Sequence, residues 1–466
     1  MKTILLLIAT FMFSQISFAE KDENKGNDYR RSSLCIIMLD EAKMPNREVI
    51  KEAFLSLPVP DKYNDHNTLV RMFCKDTMKL TAEDDKAFKE AVQAGVLGES
   101  LAKQKNAGEE AGKDGGKKKG GFGKMAGSLG KAALSGATGG LVNETTNSEY
   151  AASAYKFLQQ QNMAKQLFDR WFKTQEGNFS MNLVQERGMY DASAIAVENA
   201  KNSARGMALL ADAGEELINN TFVVVTRFHY MSKDELVAQI DAAAQAAAKM
   251  AGGGYASLGA SAATLAVKAS LGAGYYVQTT SYLFQLNWND SIAGVFYNQL
   301  WDNPEAYEQS DIFSIKYIGE EKAWANVKAG IFTDKPESEL IRIATINATD
   351  ASLAKLEKKY EVFKTKTPMI VSGDEKAPVI TAKIGMKEGL EAGDKYEVLE
   401  KIFDPETQRT SYKRKGVVKV AKNQIWDNRF MAGEERALEG KTQDFEETRF
   451  EGKGNYYTGM LLRQIK

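Results

Sequence analysis

The stretch Thr-Phe-Val-Val-Val-Thr-Arg-Phe-His-Tyr (221–230) decides how this chain folds around its middle. Nearly every residue in it is β-branched or aromatic, types that pack well on a pleated surface, so it predicts a strand. Asn219 and Asn220 interrupt the helical pattern just upstream. There, Ala151, Ala154, Tyr155, Leu158, Ala164, Leu167, Phe168 and Trp171 recur at three- and four-residue steps, which predicts an amphipathic helix over 149–172. A second helical region is expected over about 192–218. Downstream, strands are expected at 275–288, 312–318 and 340–346, and helices at 291–301 and 350–363. The mixture predicts an α+β domain over 148–366, carrying an Ala/Gly-rich insertion at 241–274 broken by Gly252, Gly253 and Gly254.

Further out, Arg-Ser-Ser-Leu-Cys-Ile-Ile-Met-Leu (31–39) predicts a buried strand. Asn46 is placed to cap a short helix bearing Val49, Ile50 and Phe54, and Thr81 with Asp84 forms a capping-box pattern before Ala87, Phe88, Ala91 and Val92. These pieces predict a small mixed α/β domain over 20–105. Residues 106–147 are dominated by glycine and lysine and lack the apolar surface to offset the entropy of ordering, so a flexible linker or loop is expected there. From 367 to 466 short strand candidates are punctuated by Gly385, Gly389, Gly393 and Gly416, the spacing of a small SH3-like β-barrel. The fold class expected is therefore α+β and multidomain.

Met1-Lys2, an apolar run to Phe13 and a polar end with Ser17 and Ala19 have the order of a signal peptide over 1–19, cut after Ala19. The apolar run is too short for a bilayer, which takes about 20 helical residues. Charge is balanced, with 61 basic and 62 acidic side chains. That argues against a global attraction to nucleic acid or anionic lipid. An oxidising compartment would permit one disulfide, Cys35 with Cys74, worth roughly 3 to 4 kcal/mol through loop closure. The alternative is two free thiols, since Cys35 lies in an apolar run.

Two parts of the sequence are similar to known families. Asn-Asp-Tyr-Arg-Arg-Ser-Ser-Leu-Cys (27–35), Pro-Asp-Lys-Tyr-Asn-Asp-His-Asn (60–67) and Ala-Asp-Ala-Gly-Glu-Glu-Leu-Ile-Asn-Asn-Thr-Phe-Val-Val-Val (211–225) resemble an uncharacterised family of exported Bacteroidetes proteins. That resemblance implies no catalytic residues. Gly-Met-Lys-Glu-Gly-Leu-Glu-Ala-Gly-Asp-Lys-Tyr-Glu-Val (385–398) resembles the turn before a strand in the C-terminal barrel of the flagellar assembly protein T family. Gly389 and Gly393 permit positive backbone angles there and Asp394 can satisfy local amides, so these residues are expected to shape the barrel.

Chemistry-bearing patterns are sparse. The chain has two histidines, His66 and His229. His66 lies in a polar segment with Asp61 and Asp65 nearby, where a solvated loop is expected rather than a metal site, because no ligand spacing such as HExxH is present. His229 is expected on an exposed or edge face of its strand. Ser-x-x-Lys occurs at Ser100/Lys103, Ser128/Lys131 and Ser352/Lys355 without the companion elements of a serine acylase. Met125 and Ala132 spoil a phosphate-loop reading around Gly130-Lys131. The lysines at 113–131 and the small-residue stretch 242–274 could contact a lipid surface peripherally. Asp76-Thr77-Met78 and Asp290-Ser291-Ile292 match an Asp-Ser/Thr-apolar pattern that resembles the general O-glycosylation signal of Bacteroidetes, making Thr77 and Ser291 the candidate acceptors.

No catalytic, metal or cofactor motif emerges, and no cofactor is expected. The expectation is a non-catalytic, periplasmic or outer-membrane-associated envelope protein, a scaffold or accessory with other envelope proteins as partners and no nucleic acid. The alternatives are an extracytoplasmic hydrolase using acidic residues, for which carboxylate pairs need no sequence motif, and a membrane-associating or pore-forming component.

Overall fold

Strand β1 (Ser32–Asp40) is buried at all nine positions and lies inside the first sheet. On one side it pairs in parallel with two short strands, β2 (Tyr63–Asp65) and β3 (Met72–Cys74). On the other it pairs in parallel with β4 (Thr221–Met231), Cys35 lying opposite Val223 and Leu39 opposite Arg227. β4 continues antiparallel to β5 (Gly274–Leu286), and β5 to β6 (Ile315–Lys328). The computed structural model describes residues 32–93, 144–189, 216–231, 234–238, 241–242, 274–328, 334–373, 378–404 and 409–465. The expected signal peptide and its cut after Ala19, the linker up to residue 143, nearly all of the 241–274 insertion and the Ser100 and Ser128 tetrads lie outside them.

The sheet order is β2-β1-β4-β5-β6. β1, from the mixed α/β N-terminal region, and β4, from the α+β middle, are neighbours in it. The run Leu34 to Leu39 is apolar at every position, and such a strand needs partners on both edges and cover on both faces. Cys35, Ile37 and Leu39 join Val223, Val225 and Phe284 on one face. Leu34, Ile36 and Met38 join Phe222, Val224 and Leu283 on the other.

The second face is covered by α1 (Arg47–Leu55), which buries Ile50, Ala53 and Phe54. Its cap differs from expectation: Asn46 takes a left-handed conformation and makes no side-chain cap bond. The capping box at the next helix does form, Thr81 N donating to Asp84 Oδ2 at 2.8 Å and Asp84 N to Thr81 Oγ1 at 3.3 Å. The first face is covered by α2 (Glu144–Gln160) and α3 (Met163–Phe172). The single helix expected over 149–172 is broken by left-handed Asn162, a conformation asparagine tolerates. A shorter helix, α4 (Asn182–Met189), follows.

The strand expected at 340–346 is instead the start of a 23-residue helix, α5 (Glu337–Lys359). Leu340, Ile341, Ile343, Ala344, Ile346 and Ala348 are all buried, so the helix shows no polar stripe and its β-branched residues mimic a strand. Its hydroxyls are satisfied internally: Thr345 Oγ1 donates to Ile341 O at 2.8 Å and Thr349 Oγ1 to Thr345 O at 2.9 Å.

The C-terminal barrel is as expected. β7 (Thr367–Pro368), β8 (Ile370–Ser372), β9 (Val379–Ala382), β10 (Lys395–Asp404), β11 (Arg409–Val420), β12 (Thr448–Glu451) and β13 (Leu461–Gln464) form an antiparallel sheet in the order β7-β13-β10-β11-β12-β9-β8. The end strands β7 and β8 are joined through Met369 alone, which brings the sheet close to closure. Ile380, Leu390, Tyr396, Val398, Val418 and Phe450 fill it. Among the described residues, no helix is long and apolar enough to cross a membrane.

Candidate functional site

The barrel is seated on the C-terminal half of α5 by the Gly385–Asp394 turn. Gly389 has φ +71° and Gly393 φ +87°, the left-handed region that glycine reaches without strain. A Cβ at Gly389 would lie 3.1 Å from the Ala354 Cβ, so the turn and the helix touch backbone to side chain. Asp394 Oδ2 accepts from Glu391 N at 3.0 Å inside the turn and from Lys358 Nζ at 3.3 Å and Gln464 Nε2 at 3.3 Å outside it. Arg463 adds a second tie, to Glu397 at 2.5 Å within the barrel and Glu361 at 3.3 Å beyond α5. Lys335 pairs with Glu434 at 2.8 Å, and the Arg342 guanidinium lies 5.0 Å from the Phe430 ring.

Beside this seam opens a narrow cleft of about 10 Å³, room for a single water at most, lined by Lys62, Glu357, Lys364, Glu388, Tyr396 and Gln464 among others. Lys62 arrives from the loop before β2, Glu357 from the last turns of α5, Glu388 from the barrel turn and Tyr396 from β10. Two carboxylates face the cleft and both are engaged. Glu357 accepts from Lys62 Nζ at 2.5 Å, from Thr365 N at 3.1 Å and from the Thr365 hydroxyl. Glu388 accepts from Gly385 N at 2.6 Å and Asn428 Nδ2 at 2.8 Å, closing its own short turn. Asp350, two turns before Glu357 on α5, is 4.0 Å from Lys387 Nζ. Burial raises its carboxyl to about 7 against the partial pull of Lys387. Burial and then the Glu357 charge push the Tyr63 and Tyr396 phenols well up, and the Tyr63 hydroxyl is buried with no hydrogen-bond partner.

The residues singled out from sequence are scattered. Cys35 is buried, Cys74 half-buried, and both thiols are free. Cys74 lies opposite Asp40 in the β1–β3 register, five residues along from Cys35. At about 3.3 Å per residue this separation is far beyond the 4.4–6.8 Å between disulfide-linked Cα atoms. Thr77 and Ser291 are both exposed, as an acceptor of modification must be. His66 corrects the solvated-loop expectation: it is fully buried, with Nε2 2.8 Å from Leu167 O, and burial lowers it to about 3. His229 is half-exposed and 2.8 Å from Glu235. Ser352 is buried in a chain of hydroxyls, accepting from Ser281 Oγ at 2.9 Å and donating to Thr349 O at 2.8 Å, while Lys355 Nζ is tied to Lys322 O at 2.8 Å. Among the described residues, no group of three or more potential ligands could hold a metal ion.

The cleft residues were invisible to sequence reasoning, since Lys62 and Glu357 are 295 positions apart. The turn that frames the cleft was legible, as a shape.

Fold and cleft define a two-module α+β protein in which a small barrel is clamped against the 23-residue helix α5 of a sheet-centred body. No family model matches the sequence, and neither does any curated protein.

Proposed function

We propose that this chain is a non-catalytic exported protein of the cell envelope, a scaffold or accessory that binds other envelope components through the joint surface of body and barrel. The observation that carries the reading is how the seam is built. Its charged groups are spent on holding the two modules in one orientation, with Asp394 and Arg463 each contacting partners in both chain regions. Export rests on the leader-like residues 1–19. Affinity capture from envelope extract, using the full chain, is expected to return a reproducible partner. Recovering the native polypeptide from cytosol with Met1 still in place would defeat the reading.

The rival is an extracytoplasmic hydrolase working with acidic side chains, for which Glu357 and Glu388 are the pair on offer in the cleft. A catalytic acid and base must exchange protons with substrate. Both carboxylates are instead engaged by donors that shape the cleft, Glu357 by Lys62 and Thr365 and Glu388 by Gly385 and Asn428. Glu357→Gln or Glu388→Gln variants that stay folded yet lose turnover of a glycan or peptide substrate would reverse this choice.

A further inference from the structure

At the edge of the sheet opposite β6, residues 66–71 interrupt the edge strand formed by β2 and β3. Asn67 Oδ1 accepts from Ile36 N at 2.8 Å, standing in for the missing strand partner. His66 turns inward, its ring 5.0 Å from that of Trp171. Because Leu167 O can only accept, Nε2 carries the proton and Nδ1 faces outward as an acceptor.

Two arginines close over this loop. Arg187, from α4, has its guanidinium carbon 4.7 Å from the Trp171 ring centre. Its NH1 donates to Ser33 Oγ at 3.0 Å and to His66 Nδ1 at 3.4 Å. Arg170, from α3, donates to Asn67 O and to Asp65 O, the latter at 3.3 Å. Every one of these acceptors is neutral. Among the described residues no carboxylate forms an ion pair with either arginine, although most basic groups elsewhere in the body have one. The nearest acids act at a distance: Asp65 Oδ1 is taken by Asn67 N at 2.8 Å, and Glu186 is exposed. Burial, and then the Arg170 charge, lower Arg187 to about 10. Two like charges, one of them partly desolvated, are costly to hold together without a counter-charge.

The geometry points to an oxyanion site between Arg170 and Arg187, taking a carboxylate or phosphate-type group. Each guanidinium has five N–H donors in a planar fork, and the contacts above leave donors on both forks unspent. Trp171 and the Ser33 and His66 acceptors hold Arg187 in place, so little ordering remains to be done on binding.

The full-length protein, titrated with inorganic phosphate and separately with acetate at ionic strength held constant with chloride, tests this. Saturable rises in Tm are expected with at least one anion, and which one responds separates a phosphate-type from a carboxylate-type ligand. Arg170→Gln, at an exposed position, is expected to weaken the apparent affinity at least tenfold. Arg187→Lys, which keeps the charge but loses the fork, should do the same. A response to neither anion beyond matched chloride, or an Arg170→Gln protein that responds like the parent, overturns the site.

Discussion

Lys62 Nζ lies 2.5 Å from Glu357 Oε2, joining the loop before β2 to the end of the long helix beside the barrel. Only 18% and 13% of the two side chains are exposed, so neither charge can fall back on bulk water. Lys62→Met is expected to cost about 1–3 kcal/mol by leaving a half-buried carboxylate short of its cation. The double variant with Glu357→Gln should recover part of that loss. Chemical denaturation of the three proteins checks it; a single variant as stable as the parent would show that the pair contributes nothing.

Gly389 and Gly393 offer an internal control on the seam. Both have positive φ, so alanine costs about 1–2 kcal/mol at either on backbone grounds. Nothing lies within 4 Å of a Cβ at Gly393, whereas at Gly389 it meets Ala354. Gly389→Ala is therefore expected to destabilise more and to increase protease cleavage between residues 360 and 370, with Gly393→Ala showing the smaller effect and no new cleavage. Equal behaviour of the two would mean that the turn does not seat the barrel.

His66 and Asp350 give pH dependences of opposite sign. His66 falls from 6.5 in the unfolded chain to about 3 when folded, through burial. Its contribution is complete above about pH 6.5 and is lost as pH falls toward 3, at up to about 1.4 kcal/mol per pH unit within that window. Asp350 rises from 3.8 to about 7, again through burial. Its contribution is complete below about pH 3.8 and is lost as pH rises through 7. His66→Gln, which can still donate to Leu167 O, is expected to flatten the acid limb of stability against pH. Asp350→Asn is expected to gain on the parent at pH 8 and not at pH 4.

The thiols should react in order of exposure. Cys74 is half-buried on a short edge strand, its Sγ 3.6 Å from Asp76 Oδ2, and is expected to label with a thiol reagent in the native state. Cys35 is wholly buried, and burial raises its pKa, so it should label only on unfolding. Electrophoresis should show no mobility change on reduction; an intramolecular bridge in the native protein would contradict the β1–β3 register.

Local pattern was enough for much of this. The strand at 221–230, the buried run at 31–39, the Thr81–Asp84 capping box and the glycine-punctuated barrel are all dictated by neighbours within a few residues, where propensity, capping and turn chemistry act. The glycines of the 385–394 turn announced a left-handed backbone for the same reason.

What sequence could not reach was set by burial and by partners far along the chain. The 340–346 segment is buried at every position except Arg342, which erases most of the stripe that marks a surface helix. His66 looks solvated among Asp61, Asp65 and Asn67, yet it is internal because Trp171 and the Leu167 carbonyl, about a hundred positions away, receive it. The union of β1 with β4, the Lys62–Glu357 tie and the Arg170–Arg187 pair likewise depend on long-range juxtaposition. Such contacts leave no periodic trace in sequence, because their energy depends on distance in space rather than on spacing along the chain.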